Sequence, residues 1–254
     1  MKMRRLRYEK SILGFTDVFT VRRFVFHKPL TRLRRGKMTN NLTEHYINLY
    51  KQLHAQDTHY GTTSIRWLPL VQHYVSDLNP DSILDFGCGK NVLIEHIKTE
   101  RHILRYSYDP AIVEYEVIPV SKVGMVLNID VMEHIPEDAL ESTLQNIRSL
   151  SAKALFIISC SPAWHKLPDG SNAHCTVHEP EWWEIRLKKH FEHVEKIVLN
   201  NEQDILFVTW QVKSHFIPKH RMLRKIVRSL INLLCIIIPV KKWRHYLRDK
   251  LPKI

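Results

Sequence analysis

The sequence predicts an α/β fold: a mostly parallel sheet of about seven strands that ends in a C-terminal antiparallel hairpin, with helices on both faces. Three observations predict it. Strand-like apolar runs alternate with helix-period segments between residues 82 and 190, as parallel strands require, because each must be joined to the next by a crossover. The first of these runs stops at Gly87-Cys88-Gly89, a turn that holds two of the chain's seven glycines. Two further strand-like runs, 193–199 and 204–212, follow each other across the short polar stretch Asn200-Asn201-Glu202-Gln203, which suits a hairpin.

The elements follow in order. Leu42, Tyr46, Ile47, Tyr50 and Leu53 repeat at helical spacing over 42–56, and Ile65, Leu68, Val71 and Val75 do so over 63–77. Asn79-Pro80 breaks the pattern, and Ser82–Phe86 reads as the first strand. Val92, Leu93, His96 and Ile97 behind the glycine turn predict a helix. A second strand over 103–108 ends in Asp109-Pro110, a third is expected over 116–120, and a fourth over 123–129 ends in Asp130. Leu140, Leu144, Ile147 and Leu150 define a helix over 137–150, and 154–159 is the next strand. Residues 160–178 form a long polar loop, after which Pro180 suits the first turn of a helix to about 190.

Charge divides the 254-residue chain into three parts. Residues 1–38 carry 12 Lys/Arg against Glu9 and Asp17, residues 213–254 carry 12 against Asp249, and 39–212 carry a net −9 within the overall +12. The expected organisation is therefore a basic N-terminal extension (1–38), a mildly acidic globular domain (39–212) and a basic tail (213–254). Reading function from the global charge would mistake the tails for the site. The tail interleaves Met222, Leu223, Ile226, Val227, Leu230, Ile231 and Ile236–Ile238 with arginines and lysines, a basic amphipathic helix suited to an anionic membrane surface. No apolar run reaches the ~18 residues of a spanning helix. Four widely spaced cysteines and the absence of a secretion-type apolar stretch exclude a disulfide scaffold and predict a cytoplasmic protein.

Glycines after a first strand, with an acid at the end of the next, point to an adenosine-containing ligand at the carboxyl ends of parallel strands. A dinucleotide fingerprint needs a third glycine where Val92 stands, and Asp85 would repel a pyrophosphate while welcoming a cationic amino group. Leu84-Asp85-Phe86-Gly87-Cys88-Gly89 resembles the first motif of the class I S-adenosylmethionine-dependent methyltransferases, Asp109 resembles their ribose acid, and Asp130-Val131-Met132-Glu133-His134-Ile135 resembles the segment after their fourth strand. The resemblance spans roughly 60–212 and implies a Rossmann-like fold, with S-adenosyl-L-methionine as cofactor held by Asp85, Gly87, Cys88, Gly89, Asp109, Pro110 and Asp130. Asn91 replaces the family's third glycine, and Asn128 stands where an Asp is common.

The loop Leu167-Pro168-Asp169-Gly170-Ser171-Asn172-Ala173-His174, followed by Glu179-Pro180-Glu181-Trp182-Trp183, is similar to that of methyltransferases of bacterial surface-glycan biosynthesis. This implies O-methylation of a glycan or glycolipid precursor, of lipopolysaccharide or capsule type, at the cytoplasmic face of the membrane. His174 is expected as the base, with Asp130 and His134 beside it. His165, Asp169, Asn172 and Trp182 are expected to bind the sugar. The spacing of Asp130, Glu133 and His134 also suits a divalent cation, but the segment reads as a polar turn, and His174-Cys175 with His178 lacks a second ligand pair, so no metal is expected. The competing readings are a nucleic-acid methyltransferase, which lacks the (N/D)PP(Y/F) motif after the fourth strand, and a binding protein that keeps the turn without chemistry.

Overall fold

The computed structural model describes residues 41–199 and 203–217. The N-terminal extension, the hairpin loop at 200–202 and the amphipathic part of the tail lie outside the described residues. Six strands form one sheet: β1 (Ser82–Phe86), β2 (Leu104–Tyr108), β3 (Met125–Ile129), β4 (Ala154–Ser159), β5 (Glu195–Val198) and β6 (Asp204–Val208), in the order β2-β1-β3-β4-β6-β5. The first four are parallel, and β6 runs antiparallel to both β4 and β5. The chain leaves β1 for β2 on one side and returns to β3 on the other, so a crevice opens at the carboxyl ends of β1 and β3.

Strand alternation sorts the core into two layers. Ile83, Met125, Leu127, Leu155, Ile157, Leu206 and Val208 face helix α2 (Leu68–Leu78), which supplies Leu70, Val71, Tyr74 and Val75. Leu84, Phe86, Val126, Phe156, Ile158 and Phe207 face the other way, onto Leu140, Leu144 and Ile147 of α3 (Glu137–Leu150) and Trp183 and Leu187 of α4 (Pro180–His190). Helices thus lie on both faces, as the continuously apolar strands required.

Three expectations are corrected. The sheet has six strands rather than seven, because 116–120 joins no ladder. Pro119 has no N–H to give, and Ile118 and Val120 instead pack half-buried beneath the second layer, which leaves β2 at the edge. The helix expected after the glycine turn is only a 3-10 turn, Ile94–His96; its apolar spacing is satisfied by burying Leu93, Ile94 and Ile97 in a compact connection. The helix expected over 63–77 is split into a 3-10 turn, Thr63–Trp67, and α2, which starts where Pro69 fits a first helical turn.

A third, smaller cluster positions the site. Helix α1 (Asn41–Gln56) buries Leu49 and Leu53 against Leu167 and Ala173 of the long polar loop. The Tyr50 hydroxyl lies 2.7 Å from the Ala173 carbonyl and 3.1 Å from that of His134, tying the helix to both.

Candidate functional site

A cavity of about 970 Å³ occupies the crevice, within the size range of small-molecule sites. Its floor is the turn after β1. Gly87, Gly89 and Asn91 have φ of 89°, 51° and 58°, the left-handed region, which asparagine tolerates better than most residues. A Cβ on Gly87 would stand 2.3 Å from Val131, and one on Gly89 would stand 2.4 Å from the Gly61 carbonyl. The glycines are therefore demanded by neighbouring protein as well as by any ligand. Asp109, at the end of β2, accepts from the Gly89 amide at 2.8 Å through one oxygen and from the Ala111 amide at 2.8 Å through the other. It latches the turn, and each oxygen keeps a lone pair for a further donor. Gly87, Gly89, Asp109 and Pro110 all line the cavity.

Asp85 and Cys88 do not. Cys88 is buried with its sulfur toward the Gly89 carbonyl, and burial pushes its thiol up, so it is an inert filler rather than a cofactor contact. Asp85 is buried behind the turn with Oδ2 unpartnered, and burial, then the Asp109 charge, push its carboxyl up to about 7. It acts on a ligand by its field across the turn, not by lining the cavity. Because an unfolded aspartate titrates near 4, the folded chain holds the extra proton between about pH 4 and 7. The stability this confers is present at acid pH and is lost as pH rises through 7. Asp85→Asn is therefore expected to flatten that decline in urea-unfolding free energies, relative to wild type, by on the order of a few kcal/mol over the window. Parallel curves for the two proteins would refute the burial argument.

On the far wall stand His134, from the 3-10 turn Met132–His134, and His174, from the polar loop, with ring centroids 4.8 Å apart. Each offers Nδ1 to a backbone carbonyl: His134 to Ala173 at 2.7 Å, and His174 to Ser161 at 2.6 Å. A carbonyl only accepts, so both Nδ1 atoms carry the proton and both Nε2 atoms present a lone pair. Burial, then the facing His174, push His134 down to about 3, and burial also lowers His174, so both rings are neutral at physiological pH. Beside them Glu133 is 0% exposed with neither oxygen hydrogen-bonded; the amides of Glu133 and Ser159 only lean toward it.

Asp130 is placed differently from its expected catalytic and cofactor roles. It sits at φ 55° directly after β3, where Arg66 reaches both oxygens at 3.1 and 3.2 Å and Trp67 Nε1 donates to Oδ1 at 3.2 Å. It lines the cavity as half of an ion pair that pins the 63–67 turn over the sheet. Three expected sugar contacts also have structural duties. Asn172 accepts from the Ala163 and His174 amides and donates to the Ala163 carbonyl, shaping the loop that carries His174. Asp169 caps Ser171 and lies off the cavity wall. Trp182 is stacked on His178 at 3.6 Å and covered by Arg186 at 3.2 Å, away from the cavity, while Trp183 is the core residue of the pair. His165 does line the cavity, edge-on to Tyr60 at 5.6 Å.

Sequence reasoning missed Tyr46, Tyr50, Tyr60, Arg66 and Trp164, all on the cavity wall. Tyr46 and Tyr50 share one helix face four residues apart, a signal read only as core patterning. Trp164 is 100% exposed at the mouth, inside the loop already singled out.

No family model matches the sequence, and no curated protein matches it. Solved structures do. The 1,6-didemethyltoxoflavin-N1-methyltransferase of Burkholderia thailandensis, crystallised with 1,6-didemethyltoxoflavin and S-adenosylhomocysteine, is 14% identical over 65% of this chain and 88% of its own, at a TM-score of 0.45. An O-methyltransferase family protein from the same organism is 9% identical over 63% of this chain and 62% of its own, at 0.45. An rRNA methylase from Escherichia coli is 12% identical over 65% of this chain and 75% of its own, at 0.36. These likenesses assign no chemistry to the present chain.

Proposed function

We propose that the chain is an S-adenosylmethionine-dependent O-methyltransferase acting on a hydroxyl of a glycan or glycolipid precursor at a membrane surface. One observation carries the reading: a single cavity has the Asp109-latched glycine turn at one end and two neutral imidazoles with free Nε2 lone pairs at the other. The residues fit the cofactor. Asp109 retains acceptor capacity for ribose hydroxyls, the turn offers amides, and the orphaned Asp85 oxygen supplies negative field for a cationic amino-acid end. S-adenosylmethionine supplies the electrophilic methyl on its sulfonium.

The chain's own part in transfer is positioning and proton removal. As the acceptor oxygen forms its bond to the methyl carbon, the carbon–sulfur bond breaks and its electron pair stays on sulfur; the hydroxyl proton leaves at the imidazole pair. An amine acceptor would have little use for such a pair, whereas an alcohol needs its proton removed. Trp164 at the mouth and Tyr46 and Tyr60 on the wall offer flat faces for a sugar ring. The membrane part rests on the tail sequence, whose aliphatic residues from 222 to 238 gain more from an acyl boundary than from a phosphate backbone.

Methyl-labelled cofactor incubated with the full chain and with glycolipid, polysaccharide and RNA fractions tests the reading. Label is expected in the glycolipid. Deleting 219–254 is expected to abolish sedimentation with anionic vesicles and to spare methylation of a soluble acceptor analogue. Label confined to RNA would make the protein a nucleic-acid methyltransferase, and cofactor binding without any transfer would make it a binding protein.

A further inference from the structure

Glu133 has no purpose in the metal-free site described above. A carboxylate buried without donors costs several kcal/mol, and nothing among the described residues offsets that cost, since Arg66 is taken by Asp130 and both imidazole Nδ1–H groups point to carbonyls. What is missing is a positive charge that accepts lone pairs instead of donating protons. One ligand atom each from Glu133, His134 and His174 lies within 4.8 Å of the other two, and all three residues line the cavity.

We propose that Glu133, His134 and His174 bind a divalent first-row transition-metal cation whose open coordination positions face the cavity and take the acceptor's hydroxyl oxygen. The outer contacts are those that metal-binding histidines need. Each Nδ1–H is fixed by a backbone carbonyl, which sets the tautomer and aims Nε2 inward. Tyr50 holds the Ala173 carbonyl that orients His134, and Asn172 holds the amide of His174. Two imidazoles and one carboxylate favour manganese, iron, cobalt or zinc over magnesium or calcium, which prefer oxygen throughout, and three protein ligands leave room for substrate. A cation about 2.0–2.2 Å from each donor needs the donors roughly 3.0–3.4 Å apart, so modest side-chain rotation closes the site. Asp130 stays outside the ligand set, because Arg66 and Trp67 occupy its oxygens.

The inference rests on the methyltransferase reading and specifies how the imidazole pair serves it. The hydroxyl oxygen coordinates the cation, its proton passes to solvent, and the resulting alkoxide attacks the methyl carbon while the sulfur keeps the electron pair. This favours acceptors with two neighbouring hydroxyls, which chelate.

The test uses the full chain, stripped with chelator and titrated with Co²⁺ and Mn²⁺ in the absence of cofactor, read by visible absorption and by electron paramagnetic resonance. One equivalent is expected to bind, and Glu133→Gln and His174→Ala are each expected to weaken binding at least 100-fold, while His165→Ala binds as wild type does. Glu133→Gln is isosteric, so its thermal melt is expected to match or exceed wild type without metal. No stoichiometric binding, or binding unaffected by Glu133→Gln, overturns the site. Cofactor calorimetry on the same samples separates the two readings: cofactor binding without metal binding defeats this inference alone, and metal binding without cofactor binding defeats the methyltransferase reading.

Discussion

Asp109→Ala is expected to weaken S-adenosylmethionine binding by about 100-fold or more, or about 2.7 kcal/mol at 25 °C. The carboxylate does two things at once. Its oxygens hold the Gly89 and Ala111 amides at 2.8 Å each, and their remaining lone pairs are the acceptors for ribose hydroxyls. Truncation removes the ribose contacts and leaves two amides seeking partners beside a turn already in the left-handed region. Calorimetry reads the affinity, and a thermal melt run alongside reads the damage to the turn. Asp109→Asn keeps one acceptor oxygen and is expected to fall between alanine and wild type. Equal affinity in wild type and alanine variant, or tight binding of NAD in place of S-adenosylmethionine, would refute the cofactor assignment.

His174→Ala is expected to lower turnover by about 100-fold or more while leaving cofactor affinity within about twofold. The separation follows from position: the ring lies across the cavity from the glycine turn, and its Nδ1 is anchored to the Ser161 carbonyl, so Nε2 serves only the acceptor side. The loop fold survives, because Asn172 braces Ala163 and the His174 backbone without help from the imidazole. The effect is expected on kcat, with KM for the acceptor little changed, since an activated oxygen matters at the transition state. Unaltered turnover would remove His174 from the chemistry.

Strand, turn and acid were legible because they are local. Apolar runs ending in glycine, and an aspartate at the end of the next strand, need no partner to be recognised, and Gly87, Gly89 and Asp109 stand where their order along the chain placed them. His174 and His165 were legible because a long polar loop after a strand of a parallel sheet can only overhang the crevice. The errors have a common physical origin. Pro119 and the short connection from Gly89 to β2 show that apolar spacing reports burial and not the geometry in which burial is achieved: Ile118, Val120, Leu93 and Ile97 are covered without forming a strand or a helix.

The sequence by itself determined the order of elements, the alternation that sends Ile83 to one layer and Leu84 to the other, and the glycine turn facing an acid. Only the tertiary structure decided which polar residues were free to act. Asn172, Asp169 and Trp182 have the composition of a sugar site, yet their hydrogen bonds and stacking are spent on the loop and on α4. Asp130 is neutralised by Arg66, sixty-four positions earlier in the chain. Glu133, by contrast, is left unpartnered beside His134 and His174, although forty residues of chain lie between the two histidines and no local pattern connects them. A side chain's type is fixed by the gene, but whether its lone pairs are already taken depends on what the fold packs against it, and that is a long-range property of the folded chain.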